Sequence, residues 1–158
     1  MARIKSFEGL SDFGKQLTRL GQLQNVARVC KVALFDGAKV VADSMREEIS
    51  ALPIGHAHGT PENPINTVTN TQKRGLLDGL GIAPMQENGS VWDASVGFDD
   101  YNDFGQANAM IAAAVEGGAS FRRKNPFVTR ALRKSREKAQ AAMAAAAENQ
   151  INQIMEES

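Results

Sequence analysis

Cysteine, histidine and aromatic residues are all scarce in this 158-residue chain. The single cysteine, Cys30, rules out a disulfide framework within the chain. It falls among apolar helix positions and reads as a small buried hydrophobe. The two histidines, His56 and His58, sit together as His-x-His, with Glu62 the nearest further ligand. A structural metal site needs a closed ligand set, so no metal is expected there. The shared position of the histidines also leaves no separate base to activate a serine or Cys30. No Gly-x-Ser-x-Gly elbow and no glycine-rich phosphate loop with lysine occurs. An enzyme needs a positioned acid, base or nucleophile, and none stands out. The chain is therefore expected to be no enzyme, with no catalytic residues and no cofactor. Long apolar runs are missing too. Ala109 to Val115 is too short to span a bilayer. The start, Met1-Ala2-Arg3-Ile4-Lys5, leads into no apolar run, so no signal peptide and a soluble chain of intracellular origin are expected.

Positive charge is absent from one long stretch. The formal net charge is zero, yet residues 75–121 contain no Lys, Arg or His. The acids there are Asp78, Glu87, Asp93, Asp99, Asp100, Asp103 and Glu116. From Arg122 to Lys138 the pattern inverts: Arg122, Arg123, Lys124, Arg130, Arg133, Lys134, Arg136 and Lys138 stand against Glu137 alone. The segregation describes either two solvated faces or a pair of complementary surfaces that meet between copies of the protein. Asp99, Asp100 and Asp103 suit a divalent cation or, equally, a capped polar turn.

The chain is long enough to bury a core without disulfides or metal, so residues 1–158 are read as a single domain. Its organising stretch is Asn25–Leu52. Val26, Val29, Cys30, Ala33, Leu34, Ala38, Val41, Ala42, Met45, Ile49 and Leu52 recur at steps of three and four, which predicts one long amphipathic helix stopped by Pro53. Gly37 in its middle costs about 1 kcal/mol relative to alanine and is tolerable where another backbone passes close by. A short helix is expected from Ser6 to Gly21, with Ser11 and Asp12 as caps and Phe13, Leu17 and Leu20 on one face. Residues 53–74 hold Pro53, Pro61, Pro64, Gly55 and Gly59 and lose all apolar period, which predicts an extended loop. Leu76–Asp99 reads as a β-hairpin turning at Asn88-Gly89. In its returning strand Trp92, Ala94, Val96 and Phe98 share one face, the natural cover for the long helix. Asn108–Glu116 is a short helix or a buried strand, which periodicity does not decide. Asn125-Pro126 opens a last helix, with the asparagine as cap, that runs almost to Ser158; its 139–158 part forms a C-terminal extension. The cations crowding its N-terminal half oppose the helix dipole, so contacts with another molecule would account for them.

Two function classes remain. A small nucleic-acid-binding protein would use the basic Arg122–Lys138 helix. Against it stand the neutral overall charge and the scarcity of stacking aromatics, with only Phe121 and Phe127 near that stretch. A self-assembling structural subunit would use the acidic and basic surfaces in a head-to-tail contact, which closes into a ring if the rotation allows. The interface is then expected from Asp93, Asp99, Asp100 and Asp103 on one copy and Arg122, Arg123, Arg130 and Arg133 on the next.

Three stretches carry a family likeness. They are Phe7-Glu8-Gly9-Leu10 with the helix containing Gly37-Ala38-Lys39-Val40-Val41, then Gly81-Ile82-Ala83 with Val96-Gly97-Phe98, then Ala114-Val115-Glu116-Gly117-Gly118 followed by Asn125-Pro126-Phe127-Val128-Thr129-Arg130-Ala131-Leu132. In order and spacing they resemble the small tail-component family of long-tailed bacteriophages, the head-proximal tail-completion or neck proteins similar to phage lambda's minor tail protein Z. The matching motif positions are Glu116, Gly117, Pro126, Phe127 and Ala131. Departures are Gln72-Lys73-Arg74-Gly75-Leu76-Leu77, which keeps only the glycine and leucine of the family's Thr-Gly-x-Leu, and Gly118-Ala119 in place of Gly-Thr. The resemblance implies an α+β fold: a small antiparallel β-sheet packed against a long central helix, with a short N-terminal helix and a long C-terminal helix beside it. It implies a virion structural protein, assembled in the host cytoplasm as a homo-hexameric ring. The ring would join the tail tube, or a tail terminator protein, to the head-connector or head-closure protein and let DNA pass. A tail-tube terminator ring is the alternative within the same class. No membrane and no catalytic residue is implied.

Overall fold

The computed structural model describes residues 15–56, 58–89 and 91–157. Its architecture is α+β, as expected: helices joined to a short antiparallel β-hairpin. Helix α1 runs Leu23–Ser50, within two residues of the expected bounds at each end. Helix α2 is Asn70–Gly79, and strands β1 (Leu80–Ile82), β2 (Gln86–Asn88), β3 (Val91–Asp93) and β4 (Val96–Phe98) follow. Helix α3 is Asn108–Gly117, which resolves the open choice for that stretch, and α4 is Phe127–Glu156. Of the expected short N-terminal helix, Ser11, Asp12 and Phe13 lie outside the described residues. Residues 15–20 are helical, and Gln16 donates to the Met155 carbonyl near the end of α4 at 3.1 Å.

α1 and α4 form an antiparallel pair along their whole length. Arg28 Nε donates to Gln150 Oε1 at 2.9 Å near one end, and Ser44 Oγ donates to the Ala131 carbonyl at 3.1 Å near the other. Many of the buried residues of the two helices are small: Ala33, Ala38 and Ala42 on α1, and Ala131, Ser135, Ala139 and Ala146 on α4. Small residues let two helices approach closely without a gap. Gly37 belongs to the seam between α1 and α4. A Cβ there would stand 2.5 Å from Met143 Cγ and 3.6 Å from the Ala139 carbonyl oxygen, so the glycine answers a close approach. The long apolar stripe is thus covered chiefly by α4, and the hairpin covers only part of it. The 139–158 part of α4 is no free extension, because its described residues pack on the N-terminal half of α1.

The core gathers where α1 ends and α4 begins. Met45, Ile49, Leu52, Val68, Leu76, Leu80, Ala112, Val115, Phe127 and Ala131 form one buried cluster. Phe98 tilts against Phe127 with ring centroids 6.1 Å apart. Trp92, expected in the core, is instead half-buried at its edge, with Lys31 Nζ 5.3 Å from the ring centroid in a cation–π contact.

Two sequence readings need correction here. Residues 53–74 are not one extended loop. Ile54 bridges Val68 and Ile65 bridges Arg122, and Val68 is buried in the core. Residues 70–74 already belong to α2, whose start is a reciprocal capping box. Thr69 Oγ1 accepts from the Gln72 amide at 3.1 Å, and Gln72 Oε1 accepts from the Thr69 amide at 3.2 Å. The hairpin accordingly begins at Leu80 rather than Leu76. Its ladders pair Leu80 with Phe98 and Asn88 with Val91. Asn88 ends its strand, and Gly89 takes the left-handed φ of 66° that the first loop position demands.

Candidate functional site

The family-motif positions converge on the α3–α4 junction. Asn125 does not cap α4. Its Oδ1 accepts from Arg130 Nη2 at 2.8 Å instead. The cap comes from α3: Glu116 Oε2 accepts from the Val128 amide at 2.8 Å, and Oε1 accepts from the Thr129 amide at 3.1 Å and the Thr129 hydroxyl at 2.5 Å. These are the orphan amides of a helix's first turn, and a carboxylate there also suits the helix dipole. Gly117 is the last residue of α3, and Gly118 turns the chain away with a φ of 78°. Phe127 and Ala131 are completely buried just past Pro126. Glu116, Gly117, Pro126, Phe127 and Ala131 therefore serve one joint, holding α4 at its angle to the core.

The expected basic surface divides in two. Arg122 is buried and donates to the Thr67 carbonyl at 2.6 Å, and burial lowers its pKa below the ordinary guanidinium value. Arg130 Nε donates to Glu48 Oε2 at 2.7 Å, and Lys134 pairs with the other oxygen of the same carboxylate. Glu48 is itself buried on α1. The Lys134 and Arg130 hydrogen bonds hold its carboxyl below the usual carboxylate range. So Arg122 and Arg130, expected at a subunit interface, are committed inside the chain. The dipole-opposing cations Arg130 and Lys134 likewise find their reason in Glu48 rather than in another molecule. Arg123, Lys124, Arg133, Arg136 and Lys138 remain exposed, with no ion pair among the described residues.

The acidic side divides similarly. Asp103 pairs with Arg74 of α2. Asp93 Oδ2 accepts from the Asn88 side chain at 3.2 Å across the hairpin turn. Asp99 Oδ1 accepts from the Asp100 amide at 2.8 Å, and Asp100 adopts a left-handed φ of 61°. Asp78, Asp99 and Asp100 are exposed and make no ion pair among the described residues. In the 101–110 stretch Tyr101, Phe104 and Met110 are each about 70 % exposed, unusual for such large apolar side chains. Asn102 is buried and organises the turn, its Oδ1 accepting from the amides of Phe104 and Gln106.

No group of three or more His, Cys, Asp and Glu side chains among the described residues is placed to hold a metal ion. His56 and His58 are both exposed. No helix among the described residues is long and apolar enough to cross a membrane. Compared with known proteins, the chain matches no family model, no curated protein and no solved structure.

Sequence reasoning missed Glu48 and the capping box at Thr69. Thr69-x-x-Gln72 is a readable helix start, but its apolar residues begin only at Leu76. Nothing in the sequence pairs Glu48 with cations more than eighty residues later.

Proposed function

We propose that this chain is a structural subunit of a long-tailed bacteriophage virion, assembling head to tail into a closed ring at the head-proximal end of the tail. The ring, a hexamer in the family that the sequence resembles, would join the tail tube to the head connector and let DNA pass. The observation that carries this reading is the charge left over once the in-chain pairs are removed. Asp78, Asp99 and Asp100 stay exposed on one set of elements, while Arg123, Lys124 and Arg133 stay exposed on another. Opposite unpaired charges on different elements of one chain favour a heterologous contact between copies. The convergence of the motif positions on one joint supports the resemblance, since those residue types are then needed together.

The nucleic-acid reading is weaker. Arg122 is buried on the Thr67 carbonyl, and Arg130 and Lys134 are already paired with Glu48, which leaves less free charge for a phosphate-binding stripe. The virion reading is tested by removing the gene from the phage that carries it. Separate heads and tails should then accumulate, and supplying the protein should restore joined particles. Normal infectious particles without the protein would refute it. A duplex-binding assay across salt concentrations tests the other class, because phosphate contacts must give a steep salt slope.

A further inference from the structure

A small polar pocket opens where the end of α2 meets the 99–103 turn and the start of α3. Arg74, Gly75, Asp78, Asp100, Tyr101 and Asn108 contribute to its wall, and its volume is about 130 Å³. Several features of this pocket are unfavourable for the isolated chain. Asp78 lies in the last turn of α2, where a carboxylate opposes the dipole. Asp100 sits in a left-handed conformation that costs a non-glycine residue about 1–2 kcal/mol. Asn108 is 2 % exposed. Its Nδ2 donates to the Asp99 carbonyl at 2.9 Å, but its Oδ1 is buried with no hydrogen-bond partner. It is the one such side-chain atom among the described residues. A buried acceptor left unmade costs about 1–3 kcal/mol, so such atoms call for an explanation.

We infer that this pocket is a socket for an arginine side chain of a second copy of the chain. This rests on the ring reading and gives it a specific contact. The socket is rich in acceptors: Asp78, Asp100 and the orphan amide oxygen of Asn108 contribute to it, while Arg74 in its wall is paired with Asp103 and Thr71 and Tyr101 add hydroxyls. The complementary guest is a cation with several donors. A guanidinium carries five N–H groups in a planar fork, enough to serve both carboxylates and the amide oxygen together. The volume is well above the roughly 10–15 Å³ that a single water needs, which leaves room for such a head group. This chain supplies the guest itself in exposed Arg123 and Arg133, on elements that do not line the pocket. Tyr101, in the pocket wall and 72 % exposed, then helps to exclude water around the ion pair, as aromatic side chains do at other interfaces.

The test uses two variants and their mixture, measured by sedimentation velocity at physiological salt. D78K/D100N removes the acidic socket, and R123E/R133E reverses the guests. Asp78→Lys suits the helix dipole, worth about 0.3–1 kcal/mol, and repels Arg74 one turn away by about 0.2–0.5 kcal/mol. Asn tolerates the left-handed conformation of Asp100. Both variants should therefore melt close to the parent temperature. Each alone should assemble at least about tenfold more weakly than the parent. An equimolar mixture should form heterodimers that neither variant forms alone, because the arginines of D78K/D100N then meet the intact socket of R123E/R133E, while every second contact of a closed ring stays mutated. Parent-like assembly of D78K/D100N, or failure of the mixture when both variants fold, overturns the socket but leaves the ring. A parent chain that stays monomeric at every concentration overturns both. D78K alone, with melting unchanged and assembly lost, is the cleanest supporting result, because a structural role would move both.

Discussion

Replacing Glu116 with alanine should loosen the joint between α3 and α4 by about 2–3 kcal/mol. The side chain accepts from two backbone amides and one hydroxyl of the first turn of α4. Losing a side-chain cap costs about 1 kcal/mol, reaching about 2 kcal/mol in protein hosts. A carboxylate at a helix N-terminus adds about 0.3–1 kcal/mol through the dipole. Urea denaturation followed by circular dichroism reads the change as a lower midpoint at unchanged slope. For a domain of this size the melting temperature should fall by about 5–10 °C. Glu116→Gln keeps an acceptor and loses the charge, so it should cost about half as much. Thr129→Val removes only the hydroxyl partner and should cost about 1 kcal/mol. If E116A and E116Q were both within about 0.5 kcal/mol of the parent, Glu116 would not be the cap of α4, and the joint built on the motif positions would lose its basis.

Glu48 gives a pH dependence with a definite sign. Its pairing with Lys134 and Arg130 lowers its folded pKa below the ordinary value of 4.5. The stability it contributes is therefore present above that value and lost as pH falls through the lower, folded one. The gap in urea midpoint between the parent and E48Q should be constant from neutral pH to about 5 and should close below it; a gap unchanged down to the acid transition would contradict the pairing. Gly75→Ala tests the pocket floor by its sign. In an exposed helix interior the change would stabilise by about 1 kcal/mol. Here the new Cβ would stand 2.5 Å from Asn108 Oδ1 and 2.7 Å from Asn102 Cβ. A loss of about 1–3 kcal/mol from overpacking is expected, and a gain in stability would show that Asn108 is free to move away.

What the sequence made legible follows from the range of each signal. The steps of three and four in Val26–Leu52 and Phe127–Ile154 are local and long, and both helices form within a few residues of expectation. The alternation from Trp92 to Phe98 survives as alternating burial. The turn at Asn88-Gly89 shifted by one residue because the glycine, not the asparagine, takes the positive φ. The 53–74 segment misled because its order comes from distant partners: Ile65 bridges to Arg122, and Lys73 Nζ donates to the Ser50 carbonyl at 2.5 Å, closing the end of α1. The charge census could not tell spent charges from free ones. Arg122, Arg130 and Asp103 are all used in-chain, and only the three-dimensional neighbours Thr67, Glu48 and Arg74 reveal it. Asn108 sits in an alanine-rich run, and nothing local distinguishes a buried orphan amide there from a surface one.

The most direct test of the central claim is the mass of the assembled particle, read by mass photometry or native mass spectrometry at physiological salt. A closed ring should appear as one discrete species, six times the 17.0 kDa of a single chain for the hexamer. It should shrink toward the monomer in R123E/R133E and D78K/D100N taken separately. A single 17.0 kDa species at every concentration, alone and with added tail-tube protein, would contradict the ring.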